Sequence, residues 1–180
     1  MPPNLARVNA AARQAAQTRF TALLHHIDTA ALERAFRRQK RKAGAGVDGI
    51  TVADYEQNLE VNLQDLCKRV HTGRYRPQPV RRVYIPKADG GQRPLGVPTL
   101  EDKIVQGAVA AVLGAIYEVD FLGFSYGFRP GRNPHQALSA FHTAIMSQHV
   151  NWVLDADIRN FLDTASYYLR GHEVALNSWG

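Results

Sequence analysis

Trp152-Val153-Leu154-Asp155-Ala156-Asp157-Ile158-Arg159-Asn160-Phe161-Leu162-Asp163 is the stretch on which the reading of the whole chain turns. Its first half alternates as a β-strand does, with Trp152, Leu154, Ala156 and Ile158 on one side and Val153, Asp155 and Asp157 on the other. Carboxylates are poor strand formers and costly to bury. Two of them projecting from one face of an apolar strand suggest a metal or catalytic face. An exposed strand end whose aspartates only cap a turn explains the same pattern, and the segment alone does not choose between the two.

Composition narrows the possibilities. The chain has 180 residues and 45% hydrophobic content, enough for one domain with a core or for part of a larger one. Its apolar runs are too short to span a membrane, and the N-terminus lacks the apolar core of a signal peptide. Cys67, the single cysteine, excludes an internal disulfide and a multi-cysteine zinc site, as expected of a cytoplasmic protein. It falls within a predicted helix and reads as a small packing residue. The seven histidines form no His-Glu-x-x-His or Cys/His cluster, and no P-loop signature is present. His135 and His142 read as solvent-facing helix residues.

The net charge of +6 is unevenly spread. Arg34, Arg37, Arg38, Lys40, Arg41 and Lys42 form one cluster. A second contains Arg74, Arg76, Arg81, Arg82, Lys87 and Arg93, with only Asp89 against them. One basic cluster is often just a solvated face; two flanking one folded region fit a phosphate backbone better.

Outward from the opening stretch, Asn4 to His26 reads as an alanine-rich helix, and a second helix starts at Asp28 or Thr29 and runs into the first cluster. Gly44-Ala45-Gly46-Val47-Asp48-Gly49 reads as a flexible loop. Thr51-Val52-Ala53-Asp54 is a capping box, predicting a helix to about Val70 with Tyr55, Leu59, Leu63, Leu66 and Val70 facing the core and Gly73 stopping it. Between Pro77 and Pro98, Val83 and Ile85 alternate with Arg82 and Tyr84, Asp89-Gly90-Gly91 turns the chain, and Arg93 to Val97 returns. This predicts a β-hairpin with one apolar and one basic face, kept at a sheet edge by Pro86 and Pro94. Thr99-Leu100-Glu101-Asp102 is a second capping box, opening a broadly apolar and so buried helix through Ile104, Val105, Ala108, Ala111, Val112, Ala115 and Ile116. Phe121 to Asn133 is a loop with Tyr126, Phe128, Arg129 and Arg132, and Asn133-Pro134 starts a helix whose Leu138, Phe141 and Ile145 face in.

Several of these pieces have the order and spacing seen in one family. Ala45-Gly46-Val47-Asp48-Gly49-Ile50, Gly73-Arg74-Tyr75-Arg76-Pro77, Tyr84-Ile85-Pro86-Lys87, the run from Gly90 to Pro98, the run from Ser125 to Arg132, and Asp155-Ala156-Asp157-Ile158 together resemble bacterial group II intron reverse transcriptases over about residues 35–164. The resemblance implies an α+β fold: fingers and partial palm of a right-hand polymerase, helix-rich, with a basic β-hairpin and an incomplete palm sheet. Residues 1–50 would be an N-terminal helical extension, 51–150 the fingers, 151–164 the first palm strand and 165–180 a divergent tail.

The same resemblance implies an RNA-directed DNA polymerase using Mg²⁺, an RNA template or intron RNA, a DNA primer and deoxynucleotides. Asp157 matches a catalytic Mg²⁺ ligand, helped by the Ile158 carbonyl, and Lys87 and Arg93 match residues that hold the triphosphate. Leu162 stands where the family usually has an aromatic residue under the sugar, which puts sugar discrimination in doubt. Arg129 and Arg132 match regions lining the template pocket. Arg37, Arg38, Lys40, Arg41, Lys42, Arg81 and Arg82 would grip RNA.

The family's Tyr-x-Asp-Asp hairpin is missing, since no Asp-Asp pair occurs in the sequence, and the resemblance stops after Thr164. A truncated or frameshifted gene is the expectation, and so is an inability to polymerise alone, because one aspartate cannot hold two metal ions. The alternatives are a non-catalytic RNA-binding module, an inert remnant, or dependence on a separate protein completing the palm.

Overall fold

Asp28, Thr51, Thr99 and Asn133 each stand just before an apolar-periodic run, and each caps a helix in the computed structural model, which describes residues 1–14, 19–86, 88 and 90–158. In chain order the elements are α1 (Pro3–Gln14), a 3-10 turn (Leu24–His26), α2 (Thr29–Arg37), α3 (Val52–Glu56), α4 (Leu59–His71), β1 (Arg81–Pro86), β2 (Gln92–Val97), α5 (Leu100–Tyr117) and α6 (Pro134–Ser147). The class is α+β: helix-rich, with one antiparallel hairpin among the described residues. The chain divides into two compact units, Met1–Phe121 and Leu122–Gly180.

The first unit is built on α5. Leu100, Ile104, Ala108, Val112 and Ala115 are buried along it, and α1 and α2 pack against it. Small residues let α2 come close: a Cβ on Gly107 would sit 3.3 Å from the Ala35 Cβ. Leu32, Leu66 and Ile104, from α2, α4 and α5, are the largest fully buried side chains. Asp28 accepts from the Ala31 N–H (2.7 Å), and buried Ile27 precedes it in the staple position relative to Leu32.

Three helix expectations change. The single helix from Asn4 to His26 is interrupted: α1 ends at Gln14, residues 19–23 are not helical, and a 3-10 turn follows. Ile27 is thereby free to enter the core while Asp28 caps α2. The helix expected from Thr51 to Val70 is two, because Asn58 leaves helical geometry (φ −126°, ψ 39°) and the Asn62 amide takes the Tyr55 carbonyl at 3.0 Å. At Thr99 only half the capping box is seen: Thr99 Oγ1 accepts from the Asp102 N–H, while the Asp102 carboxylate takes the Thr99 hydroxyl together with donors from farther along the chain.

Asp102 is buried, and its carboxylate accepts from the Tyr75 hydroxyl, the Thr99 hydroxyl (2.7 Å) and the Gln78 N–H (3.3 Å). Tyr75 reaches it because α4 ends in a Schellman turn, with Gly73 at φ +67°, its N–H on the Val70 carbonyl and the Arg74 N–H on that of Arg69. Beside this group Arg69 bridges Asp65 and Glu101, both at 2.6 Å, and Glu101 also accepts from the Tyr55 hydroxyl. Burial first, and then these acidic neighbours, push Tyr55 and Tyr75 above the usual tyrosine range.

The hairpin pairs Arg81 with Val97 through to Pro86 with Gln92. Directly paired residues share a face. One face therefore carries Val83, Ile85, Leu95 and Val97 with Arg81 and Arg93 among them, and the other carries Arg82, Tyr84, Pro86, Gln92 and Pro94. The expected division into an apolar and a basic face is not found: the guanidinium groups are split between both, because the register sets Arg93 opposite Ile85.

The second unit corrects two more expectations. α6 has its full capping box, with Asn133 and Gln136 exchanging side-chain and backbone hydrogen bonds, and Pro134 in the first turn. Yet Leu138, Phe141 and Ile145 remain 64%, 49% and 38% exposed, and no described residue of this unit is buried. An apolar stripe is buried only when another element packs on it. Residues 151–158 are not a strand; among the described residues nothing pairs with them, and an extended segment without a ladder partner has no sheet to join. Residues 159–180, including Leu162 and the rest of the opening stretch, lie outside the described residues, as do Lys87 and Asp89.

Leu66→Ala should cost about 2–5 kcal/mol in urea unfolding, whereas Leu138→Ala should stay within about 0.5 kcal/mol of the parent. Tyr75→Phe leaves the Asp102 carboxylate one donor short and should cost about 1–3 kcal/mol. Tyrosines of the unfolded chain ionise near about pH 10, earlier than folded Tyr55 and Tyr75, so stability should fall as pH rises beyond that value. The fall should be shallower in Tyr75→Phe, measured by urea unfolding across alkaline pH.

Candidate nucleic-acid interface

A phosphate backbone is held by cationic heads that reach solvent from elements in a fixed arrangement. The tail of α2 supplies the first set. Arg37 pairs with Glu33 (2.5 Å) one turn back and Arg41 with Glu56 of α3 (3.1 Å), both well exposed. Exposed pairs of this kind are weak and screened by salt, so a phosphate can displace the carboxylate. Arg38, Lys40 and Lys42 are exposed and have no carboxylate partner among the described residues. Arg34 is half-buried and lines, with Arg38, His26, Leu5 and Ala108, a small cleft beside α5. Burial, with His25 next to it, lowers the His26 pKa.

The hairpin supplies the second set. Arg82 and Arg93 are exposed. Arg81, at the start of β1, donates from Nε to the Ala45 carbonyl at 3.0 Å. Lys103 donates from Nζ to the Gly44 carbonyl at 2.7 Å. The loop after α2 is therefore tied to the hairpin root and to α5, where the sequence suggested a free, flexible link. Both basic clusters belong to the unit Met1–Phe121.

Arg129, Arg132, Asp157 and Ile158 belong to the other unit. Arg129 donates from Nη1 to the Leu122 (2.9 Å) and Ser125 (2.8 Å) carbonyls and so closes its own loop. The Arg132 guanidinium lies 5.2 Å from the centre of the Tyr126 ring. Between them Phe128 has a left-handed backbone (φ 55°) and a fully exposed ring. Asp157 is exposed and accepts the Ile158 N–H at 2.9 Å. No group of three or more potential metal-ligating side chains exists among the described residues. Asp155, Asp157 and the Ile158 carbonyl are too few donors for a pair of Mg²⁺ ions, so the described residues do not fit that cofactor.

Sequence reasoning passes over Lys103 and names Gly46 and Phe128 only as loop and motif residues. Lys103 had a signal: a cation near the start of a helix opposes the macrodipole and needs an acceptor of its own. The glycine-rich sequence around Gly46 suggests flexibility, but Gly46 is a point of close backbone approach. Phe128 sits in an aromatic and arginine-rich loop, and its exposure had no sequence signal.

No helix among the described residues is long and apolar enough to cross a membrane. No protein-family model matches the chain. Relatives among known proteins include protein YkfC of Escherichia coli (strain K12), 40% identical over 127 residues, which are 69% of this chain and 33% of that protein. Group II intron-encoded protein LtrA of Lactococcus lactis subsp. cremoris is 36% identical over 125 residues, 69% of this chain and 20% of that protein. The putative COX1/OXI3 intron 1 protein of Saccharomyces cerevisiae is 32% identical over 135 residues, 75% of this chain and 16% of that protein. The chain thus spans a third or less of these relatives' length.

Proposed function

The chain belongs to the group II intron-encoded proteins, and from that premise we propose that it is an RNA-gripping portion of a reverse transcriptase and maturase, and that it does not polymerise by itself. One observation carries the first half. The core of Met1–Phe121 presents Arg38, Lys40, Lys42, Arg82 and Arg93 to solvent with no carboxylate partner among the described residues. A buried core of this extent also favours a folded module over an inert remnant.

In this proposal residues 1–50 are the N-terminal extension, 51–150, α6 included, are the fingers, and 151–164 begin the palm. RNA, as template or intron, lies on the two basic clusters. Arg93, with Lys87, takes the incoming triphosphate, and Leu162 stands at the sugar position. Arg129 and Arg132 border the template pocket. Asp157 and the Ile158 carbonyl would supply two donors to a Mg²⁺ pair, whose further carboxylates would have to come from elsewhere, in the same polypeptide or in a separate protein. The setting is the cytoplasm, with no membrane partner.

Two measurements test it. Affinity for a labelled stem–loop RNA should fall with salt, with a log–log slope of magnitude about 3 or more, since each phosphate contact contributes about 0.7–0.9. A folded, monodisperse chain whose RNA affinity is indifferent to salt would sink the binding role. Primer extension on an RNA template with Mg²⁺ and deoxynucleotides should be absent, and robust extension by the purified 180-residue chain would overturn the second half.

A further inference from the structure

The segment Gly44-Ala45-Gly46 joins the basic tail of α2 to α3 and is gripped from three directions. From β1, Arg81 Nε donates to the Ala45 carbonyl (3.0 Å). From α5, Lys103 Nζ donates to the Gly44 carbonyl (2.7 Å). From the junction of β2 and α5, the backbone of Pro98 and Thr99 lies against Gly46, where a Cβ would come within 2.6 Å of the Thr99 Cα and 2.8 Å of its nitrogen. No side chain fits there. Thr99 cannot withdraw to make room either, because it is buried, caps α5 and donates to the buried Asp102 carboxylate.

Pinning this loop fixes where the α2 tail stands relative to the hairpin root. Arg81 and Lys103 already give a charge-assisted hydrogen bond to a carbonyl, which a phosphate would have to displace. Arg82, the next residue on β1, points to the opposite face of the hairpin and makes no such bond.

We propose that Gly44–Gly46 is a clasp that joins the two basic clusters into one RNA-binding surface. Arg81 and Lys103 are positioning residues that act through the loop, and Gly46 is the contact that only glycine can make. The proposal rests on the RNA-binding role above. Pre-ordering matters because cations on a loosened tail must be ordered again at binding, and fewer of them reach phosphates together.

The test is salt-dependent binding of the full chain to a labelled stem–loop RNA, with paired substitutions. Gly46→Ala changes no charge, and neither does Gly44→Ala, whose added carbon would meet only the end of the Arg81 side chain at 3.4 Å. Gly46→Ala should bind about tenfold more weakly with a smaller salt slope, and Gly44→Ala should bind like the parent. Arg81→Gln and Arg82→Gln each remove one charge, which by itself lowers the slope by about 0.7–0.9. Arg81→Gln should lose clearly more than Arg82→Gln in both affinity and slope. This pair decides the matter if Gly46→Ala does not fold, as judged by its thermal transition. Equal losses for the two glutamine variants, or Gly46→Ala binding like Gly44→Ala, would overturn the clasp. A parent chain without salt-sensitive RNA affinity would instead refute the binding role, and the clasp with it.

Discussion

A carboxylate shut away from water must be given hydrogen-bond donors, and Asp102 imposes that demand on the first unit. Its donors come from three places: Thr99 of its own cap, Tyr75 just after α4 and the Gln78 N–H on the way to β1. Meeting them fixes how the chain leaves α4 and how it enters α5. The roots of both hairpin strands follow from those two points. They are tightened by the close pass of Gly96 beside Val80, where a Cβ would lie 2.9 Å from Val80 Cγ2. Glu101, the neighbouring acid, extends the arrangement by holding Arg69 and the Tyr55 hydroxyl, which ties α3 and α4 to the start of α5.

Around this polar centre the packing is simple. α5 is apolar over most of its surface, so it is stable only when covered, and α1, α2 and α4 contribute to one hydrophobic cluster with it. That leaves the cations outside. Arg37 and Arg41 are held by exposed carboxylates, Arg81 and Lys103 by carbonyls, and Arg38, Lys40, Lys42, Arg82 and Arg93 face solvent. The basic clusters are thus not equivalent charges: some build the surface and others are presented by it.

The unit Leu122–Gly180 shows the opposite situation. Its helix is well capped and its loop is closed by Arg129, so local rules are satisfied, yet nothing described in it is buried. Leu154 and Trp152 stand almost fully exposed beside Asp157. Among the described residues Asp157 has too few partner ligands for a pair of metal ions.

Much was legible from sequence because it is local. The caps at Asp28, Thr51 and Asn133, the stop at Gly73 and the hairpin turn depend on residues within a few positions of one another, and so does the family resemblance carried by short ordered motifs. The core stripe of Tyr55, Leu63, Leu66 and Val70 was equally visible, since helical periodicity alone marks it. Other features required distant residues to meet. Asp102 looked like the second half of a capping box until Tyr75, far along the chain, took its carboxylate. Gly46 looked like part of a flexible loop until the Thr99 backbone came against it, and the bond from Arg81 to the Ala45 carbonyl joins residues far apart in the chain. Trp152 to Ile158 has the alternation of a strand but no ladder among the described residues, and a strand exists only with a neighbour to bond. The sequence by itself determined the helix boundaries set by caps, the two concentrations of positive charge and the family. Tertiary structure alone decided which polar groups are consumed inside the fold and which remain exposed to solvent, because that depends on which backbone and side-chain atoms meet across long separations in the chain.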